Sequence, residues 1–269
     1  MYPHNHHQPD QPILDVQHLS VNYDGREALG NINFHLHTGE RVAVVGPNGA
    51  GKSTLFKVVA GVMPPTSGEV KISGYGPRGH ICIAYVPQRS QVDWRFPASV
   101  ADVVMMGRIG QVGFFRWPRR ADWDAVHAAL AEVDMESLAN RQIGELSGGQ
   151  QQRTFLARAL AQQAELVLMD EPLNGLDAPS QEAILFLLDK LRTQKITVMV
   201  ATHDLGQAAS HFDRVMLLNH QVIRFGSPQD VLTSENLLRA YGGHAQLIRS
   251  ADGVTTLTDT CCDGEEDHD

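Results

Sequence analysis

The sequence predicts an α/β protein, a sheet covered by helices on both faces. Three observations lead there. Short apolar runs of strand length alternate with amphipathic helical segments over most of the 269 residues. Two of those runs, "RVAVVG" (Arg41–Gly46) and the centre of "ELVLMDEP" (Glu165–Pro172), are almost continuously apolar. That is the habit of a parallel strand buried on both sides. Finally, a glycine-rich loop follows the first of them and opens a helix.

Taken in order, residues 1–12 are polar and rich in His and Pro, and are expected to be loose. Ile13–Val21 and Ile32–Leu36 read as strands, with turn chemistry at Asp24–Gly25 between them. The strand Arg41–Gly46 leads into a helix from about Lys52 to Ala60, and Ile81–Pro87 is a further strand. From about Pro97 to Glu145 the pattern turns helical. There Trp123, Val126, Leu130 and Val133 fall on one stripe, and the stretch reads as a helical insert. After the strand in Glu165–Pro172, Ala183, Ile184, Leu187, Leu188 and Leu191 mark an amphipathic helix. Ile196–His203 is the next strand, and Arg214–Asn219 with Gln221–Gly226 form a hairpin. Ser227-Pro228 then opens a helix with a capping residue and a proline in its first turn. Residues 246–269 are acidic and are expected to be disordered.

Composition narrows the function. The net charge is −9, but residues 250–269 hold seven acids and no Lys or Arg, so the rest carries only −2. Nothing in that balance points to a nucleic-acid surface. No apolar run approaches the roughly 18 residues that span a bilayer, and the polar start is unlike a secretory signal. Cys82 and the adjacent pair Cys261–Cys262 make no disulfide framework, which fits a reducing compartment. A soluble chain inside the cell is the expectation.

"GPNGAGKST" comprises Gly46, Pro47, Asn48, Gly49, Ala50, Gly51, Lys52, Ser53 and Thr54, and matches G-x-x-x-x-G-K-[ST]. Its backbone N–H groups and the helix N-terminus would converge on phosphate oxygens. Lys52 would reach the β- and γ-phosphates, and Ser53 would ligate Mg²⁺. Gly49 and Gly51 are expected there because a Cβ would crowd the phosphates. At ordinary glycine frequency the fixed positions co-occur by chance in roughly one such chain in a hundred. About 115 residues on, Asp170 and Glu171 close an apolar strand. Asp170 suits a Mg²⁺ contact and Glu171 a base or water-orienting group, the division of labour that phosphoryl transfer needs.

"LSGGQQQR" (Leu146–Arg153) contains a Ser-x-x-Gln capping box, Ser147 with Gln150. Gly148 and Gly149 would weaken a cap that was merely structural, but would let a phosphate approach the helix end. With this string the chain resembles the ATP-binding subunits of ABC transporters. The resemblance runs from about Ile13 to Tyr241. It implies a P-loop NTPase-type ABC ATPase core with an antiparallel β subdomain and a helical subdomain. The ATP-binding domain would occupy residues 13–245, its helical insert about 97–160.

Residue by residue, the resemblance implies that Tyr23 stacks on adenine and that Gln88 is the glutamine of the Q-loop, touching Mg²⁺ or the attacking water. Ser147, Gly148, Gly149 and Gln150 belong to the signature, Asp170–Glu171 to the Walker B pair, Asp177 to the D-loop, and His203 is the switch histidine. "EPLNGLD" departs from the commoner "EPTSALD" but keeps the closing Leu-Asp. Catalysis would fall to Glu171, His203, Gln88 and Lys52, and the metal to Ser53, Gln88 and Asp170, with ATP and Mg²⁺ as cofactors. The family further implies a head-to-tail dimer of two copies and an integral membrane permease. It also implies, indirectly, a substrate-binding protein, all at the cytoplasmic face of the membrane.

"VDWRFPASVADVVMMGR" (Val92–Arg108) resembles the branch that takes up manganese, zinc or iron, with Trp94 and Phe96 as anchors for a helix of the permease. An iron-siderophore or cobalamin importer is the alternative within the family. A soluble ABC ATPase acting as an interaction module is the alternative outside transport. The single ATP domain and the short insert count against the translation and DNA-repair kinds. His4, His6, His7, Cys261, Cys262 and His268 could hold a metal, although a solvated tail accounts for them more simply.

Overall fold

The computed structural model describes residues 11–76, 83–113 and 116–242, and the strand backbones at 245–249 and 255–259. The chain opens with β1 (Leu14–Tyr23) and β2 (Arg26–Leu36), an antiparallel hairpin in which Leu14 pairs with Leu36 and Tyr23 with Arg26. After β3 (Arg41–Val45) and α1 (Lys52–Val59), β4 (Ser67–Ile72) returns to the other edge of β1, giving a three-stranded sheet in the order β2-β1-β4. Next come β5 (Ile83–Val86), α2 (Val100–Met106), α3 (Ile109–Val112), α4 (Arg120–Glu132) and α5 (Gly148–Ala161). The chain continues through β6 (Leu166–Asp170), α6 (Ala178–Thr193), β7 (Thr197–Thr202), α7 (Leu205–His211) and the β8 (Arg214–Asn219)–β9 (Gln221–Gly226) hairpin. It ends with α8 (Pro228–Val231), α9 (Ser234–Tyr241), β10 (Ala245–Arg249) and β11 (Thr255–Asp259).

The larger sheet runs β5-β6-β7-β3-β8-β9, parallel except where β8 meets β9. Alternation along its strands divides the interior in two. Val42 and Val44 of β3, with Leu166 and Leu168 of β6, face the antiparallel sheet and Leu55, Phe56 and Val59 of α1. Ala43, Val45, Val167 and Met169 face the opposite way, onto Leu156 and Ala159 of α5 and Ile184 and Leu188 of α6. Every residue of β3, β6 and β7 is buried, and their centres accordingly read as continuous apolar runs.

Helices α2 and α4 pack on α5, with Val100, Val104, Val126 and Leu130 at the shared interior. A capping box between Ser99 and Asp102 starts α2. The largely buried ion pair Arg108–Asp122, 3.1 Å, ties the end of α2 to the first turn of α4, and Arg108 Nη1 also donates to Ala161 O at 3.0 Å.

Several expectations are revised. β4 carries little apolar signal, having only Val70 and Ile72 buried, and was not foreseen. The helix expected to open at Ser227-Pro228 is present as α8, and a second short helix, α9, follows it. Ser227 and then Thr233 each cap a new helix start. Trp123, placed on the apolar stripe of α4, is 37% exposed near the start of that helix, while Val126 and Leu130 of the same stripe are buried. Between residues 245 and 259 the strand backbones of β10 and β11 pair antiparallel, with Leu247 opposite Leu257. Residues 1–10, including His4, His6 and His7, lie outside the described residues, as do Cys82, Cys261, Cys262 and His268.

Candidate active site

Parallel register brings four loops to one edge. In the β3–β7 pair Val45 lies opposite Thr202, and in the β6–β7 pair Asp170 lies opposite Ala201. Val86 pairs with Met169. The residues that follow, Gly46, His203, Glu171 and Gln88, therefore leave the C-terminal edge of adjacent strands side by side. This is where open α/β sheets bind ligands.

The glycine loop owes its shape to two kinds of constraint. At Gly46 a Cβ would lie 1.9 Å from Leu218 O, so β8 leaves room for hydrogen only. Gly51 has φ +95° and a Cβ there would meet Leu29 Cδ2 at 2.6 Å and Ala28 O at 2.7 Å. Gly49 has φ +81° and open space around it. The crowding expected at Gly51 thus comes first from β2, and at Gly49 the need is backbone conformation. Gly51 also stands at the N-cap of α1 and supplies no side-chain cap, leaving that helix end for an anion.

Lys52 is buried, 6% exposed, and its Nζ donates to Gly46 O at 2.7 Å and Pro47 O at 3.0 Å. Burial lowers its pKa, opposed by the nearby charges of Glu171 and Asp170. Asp170, 2% exposed, is pushed the other way: burial raises its carboxyl pKa, while a hydrogen bond from Ser53 counteracts the rise. Glu171 adopts φ +50°, a left-handed conformation costly for a residue with a Cβ. Its N–H donates to Ala201 O at 3.0 Å. Gln88 Nε2 donates to Glu171 Oε2 at 2.8 Å, and Asn174 Nδ2 reaches the same oxygen at 3.2 Å. His203 is exposed immediately after β7.

The donor set suits a hard cation. Ser53 Oγ and the Asp170 carboxylate are joined by a hydrogen bond, and Gln88 and Glu171 stand within one hydrogen bond of each other. Among the described residues no three His, Cys, Asp or Glu side chains are grouped to hold a metal ion. Mg²⁺ needs no such cage, since it keeps waters and leans on one or two carboxylates and on phosphates.

A cavity of about 680 Å³ opens in front of the loop. Its walls include Asn48, Gly49, Ala50, Gly51, Lys52, Ser53, Thr54 and Glu171, and on the far side Tyr23, Asp24, Arg26 and Glu27 of the antiparallel sheet. Tyr23 is 46% exposed, and its hydroxyl donates to Met63 Sδ at 3.0 Å. Sequence reasoning missed Arg26, Glu27 and His220 in these walls. His220 sits in the β8–β9 turn, where its N–H donates to Ala50 O at 2.9 Å and its carbonyl accepts from Gly30 N–H at 2.8 Å. Only the fold brings that turn to the loop.

At the start of α5 the capping box forms. Gln150 N–H donates to Ser147 Oγ at 3.3 Å, and Gln150 Oε1 accepts from Ser147 N–H at 3.0 Å. The glycines behind it are also closely surrounded by the protein itself. A Cβ on Gly148 would lie 2.9 Å from Leu176 Cδ2 and from Arg89 Nη1; one on Gly149 would lie 2.6 Å from Ser180 Oγ. On this side the protein's own neighbours leave room for hydrogen only. Asp177 stands at the N-cap of α6, next to Leu176. Trp94, expected as an exposed anchor, packs edge-to-face on Phe155 at 5.6 Å and donates from Nε1 to Arg89 O at 2.9 Å. Phe96 remains 55% exposed.

Comparison with known proteins adds an independent line. Residues 29–174 match the ABC transporter family. The chain is 44% identical to a manganese transport system ATP-binding protein of Bacillus subtilis, over 88% of this chain and 95% of that one. It is 46% identical to a zinc transport system ATP-binding protein of Treponema pallidum, over 86% and 87% of the two chains. Among solved structures, one chain of an ABC transporter in an inward-facing conformation, described as of metal-chelate type, superposes with a TM-score of 0.78. Their identity is 33%, over 92% of this chain and 96% of that one.

Proposed function

This chain belongs to the ABC transporter family, and on that premise we propose that it powers the import of a divalent metal ion, manganese, zinc or iron. It is an ATP-binding, ATP-hydrolysing subunit. The observation that carries the chemistry is the meeting of Lys52, Ser53, Asp170, Glu171 and Gln88 at one sheet edge, in front of a cavity of nucleotide size. The metal reading is supported by the manganese and zinc transport relatives.

In this reading the N–H groups of Gly49–Thr54 cradle the phosphates, and Lys52 exchanges its two carbonyl contacts for phosphate oxygens. Ser53, Asp170 and Gln88 would hold Mg²⁺, which when bound neutralises charge developing on the phosphates. Glu171 orients and deprotonates water once Gln88 and Asn174 release its carboxylate. His203 meets the γ-phosphate from the end of β7, and Tyr23 stacks on the base. Residues 13–245 serve as the nucleotide-binding unit, with its helical insert at about 97–160.

A second copy completes the site, with its Ser147, Gly148, Gly149, Gln150 and Asp177 opposite the phosphate loop. The support is geometric: α1 begins at Gly51 with no side-chain cap, and α5 begins with Gly148 and Gly149 behind its Ser147 cap, each a helix N-terminus whose positive end suits an anion. Among the described residues no helix is long and apolar enough to cross a membrane. In this reading, which the transport-system relatives support, an integral permease is the partner, with a substrate-binding protein beyond it, and the chain sits on the membrane's cytoplasmic face. Phe96, Met106 and Ile109, all exposed on or beside the insert, suit that contact.

The test is metal uptake by cells lacking this chain. Manganese, zinc and iron contents are measured after complementation with the wild type or with Glu171→Gln. The wild type restores one of the three, and the variant binds ATP, barely hydrolyses it and restores none. Unchanged metal contents in the deletion strain would remove metal import. Full hydrolysis by the variant would remove Glu171 from its role.

A further inference from the structure

We propose that Arg89 is a positioning residue that ties the glutamine loop of one nucleotide site to the signature turn serving the other. The inference rests on the dimeric reading above. Two neighbours in the chain face opposite ways. Gln88 donates to Glu171 Oε2 at 2.8 Å, inside the site of its own copy. Arg89 Nε donates to Gln151 Oε1 at 2.7 Å, on the first turn of α5.

The Arg89 contact is built rather than incidental. Gln151 is 3% exposed, and its Nε2 donates to Ile143 O at 3.3 Å, so its oxygen is aimed at Arg89. The Arg89 guanidinium lies against Gly148, where a Cβ would come within 2.9 Å of Nη1. Trp94 fixes the backbone by donating to Arg89 O at 2.9 Å, and Gly144 lets Trp94 O approach, since a Cβ there would stand 2.7 Å from it. The glutamine loop and the N-terminus of α5 therefore move as one piece.

Electrostatics argues that this placement serves binding. A cation beside the first residue of a 14-residue helix sits at the helix's positive end, where it is disfavoured. An arriving anion relieves that repulsion. In the dimer, the anion at this turn is the γ-phosphate held by the partner subunit. Release of Glu171 by Gln88 on one site then shifts Arg89, and with it the turn that the other site needs.

The test measures ATP-driven dimerisation by sedimentation in a Glu171→Gln background, beside ATP affinity at protein concentrations too low for dimers. If the Glu171→Gln protein does not dimerise with ATP, the dimeric reading fails. If it does, adding Arg89→Gln is expected to raise the ATP needed for half-dimerisation by roughly tenfold, as for one hydrogen bond to a charged group. Monomer affinity for ATP stays as it was. Gln151→Leu gives the same loss, and combining the two adds nothing further. Gln151→Glu, which keeps the acceptor for Arg89 but gives up the donation to Ile143 O, loses less than Gln151→Leu. Equal dimerisation with and without Arg89→Gln overturns the proposal, as do losses that multiply in the double variant. Should Arg89→Gln fail to fold, equal behaviour of Gln151→Leu and Gln151→Glu overturns it instead.

Discussion

The carboxylate of Asp170 is held where its charge is disfavoured. Burial raises its pKa above the value in an unfolded chain, and the Ser53 hydrogen bond only partly reverses that. The folded state thus binds more protons than the unfolded one between the two pKa values, so stability from this group falls as pH rises through that window. Asp170→Asn lacks the slope. The variant is expected to melt higher than the wild type at neutral pH without nucleotide. That gap should narrow towards the unfolded carboxylate value of about 4, while ATP hydrolysis is lost. Melting curves against pH check it, and a pH-independent gap would mean the aspartate's burial is not the cause. At this scale the motif residues were legible because loop and strand-end chemistry is local. Arg26, Glu27 and His220 were not, since residues far apart in sequence form their wall.

At the scale of elements, α5 shows what sequence alone leaves undetermined. Its opening glycines read as room for a phosphate, and their Cβ positions are also bounded by Leu176, Arg89 and Ser180. Only the packing of α6 against α5 reveals this. Alanine is favoured over glycine in a helix by about 1 kcal/mol, so Gly149→Ala would be stabilising if nothing opposed it. Ser180 Cβ at 2.8 Å from the added methyl opposes it. Gly149→Ala is expected to lower the melting temperature and hydrolysis together, and Gly149→Ala with Ser180→Gly to recover both. Failure of Ser180→Gly to restore hydrolysis would return the glycine to the phosphate. The buried strands β3, β6 and β7 were legible because every side chain in them is apolar or enclosed. β4 and α7 were not: β4 has three exposed residues at its start, and α7 is seven residues with only Leu205 and Ala208 buried.

On the scale of the whole molecule, the nucleotide cavity has walls from two different sheets. The phosphate end belongs to the β3–α1 loop of the larger sheet, and Tyr23, Asp24 and Arg26 to the hairpin of the antiparallel one. The two sheets share one apolar interior through α1, so a ligand spanning the cavity adds a polar tie to a joint otherwise made by burial. A ligand that binds only the folded state raises stability by about 2.7 kcal/mol at a hundred times its Kd, a rise in melting temperature of several degrees. Tyr23 is half exposed and contributes little to the empty protein. Tyr23→Ala should therefore leave the melting temperature without ATP nearly unchanged. Losing one base–aromatic stack costs roughly 1–3 kcal/mol, so the variant should need about tenfold or more ATP to reach the same upward shift. Thermal melts across an ATP series read this directly. An identical ATP dependence in wild type and Tyr23→Ala would mean the base lies off the antiparallel sheet, and that the larger sheet alone holds the nucleotide.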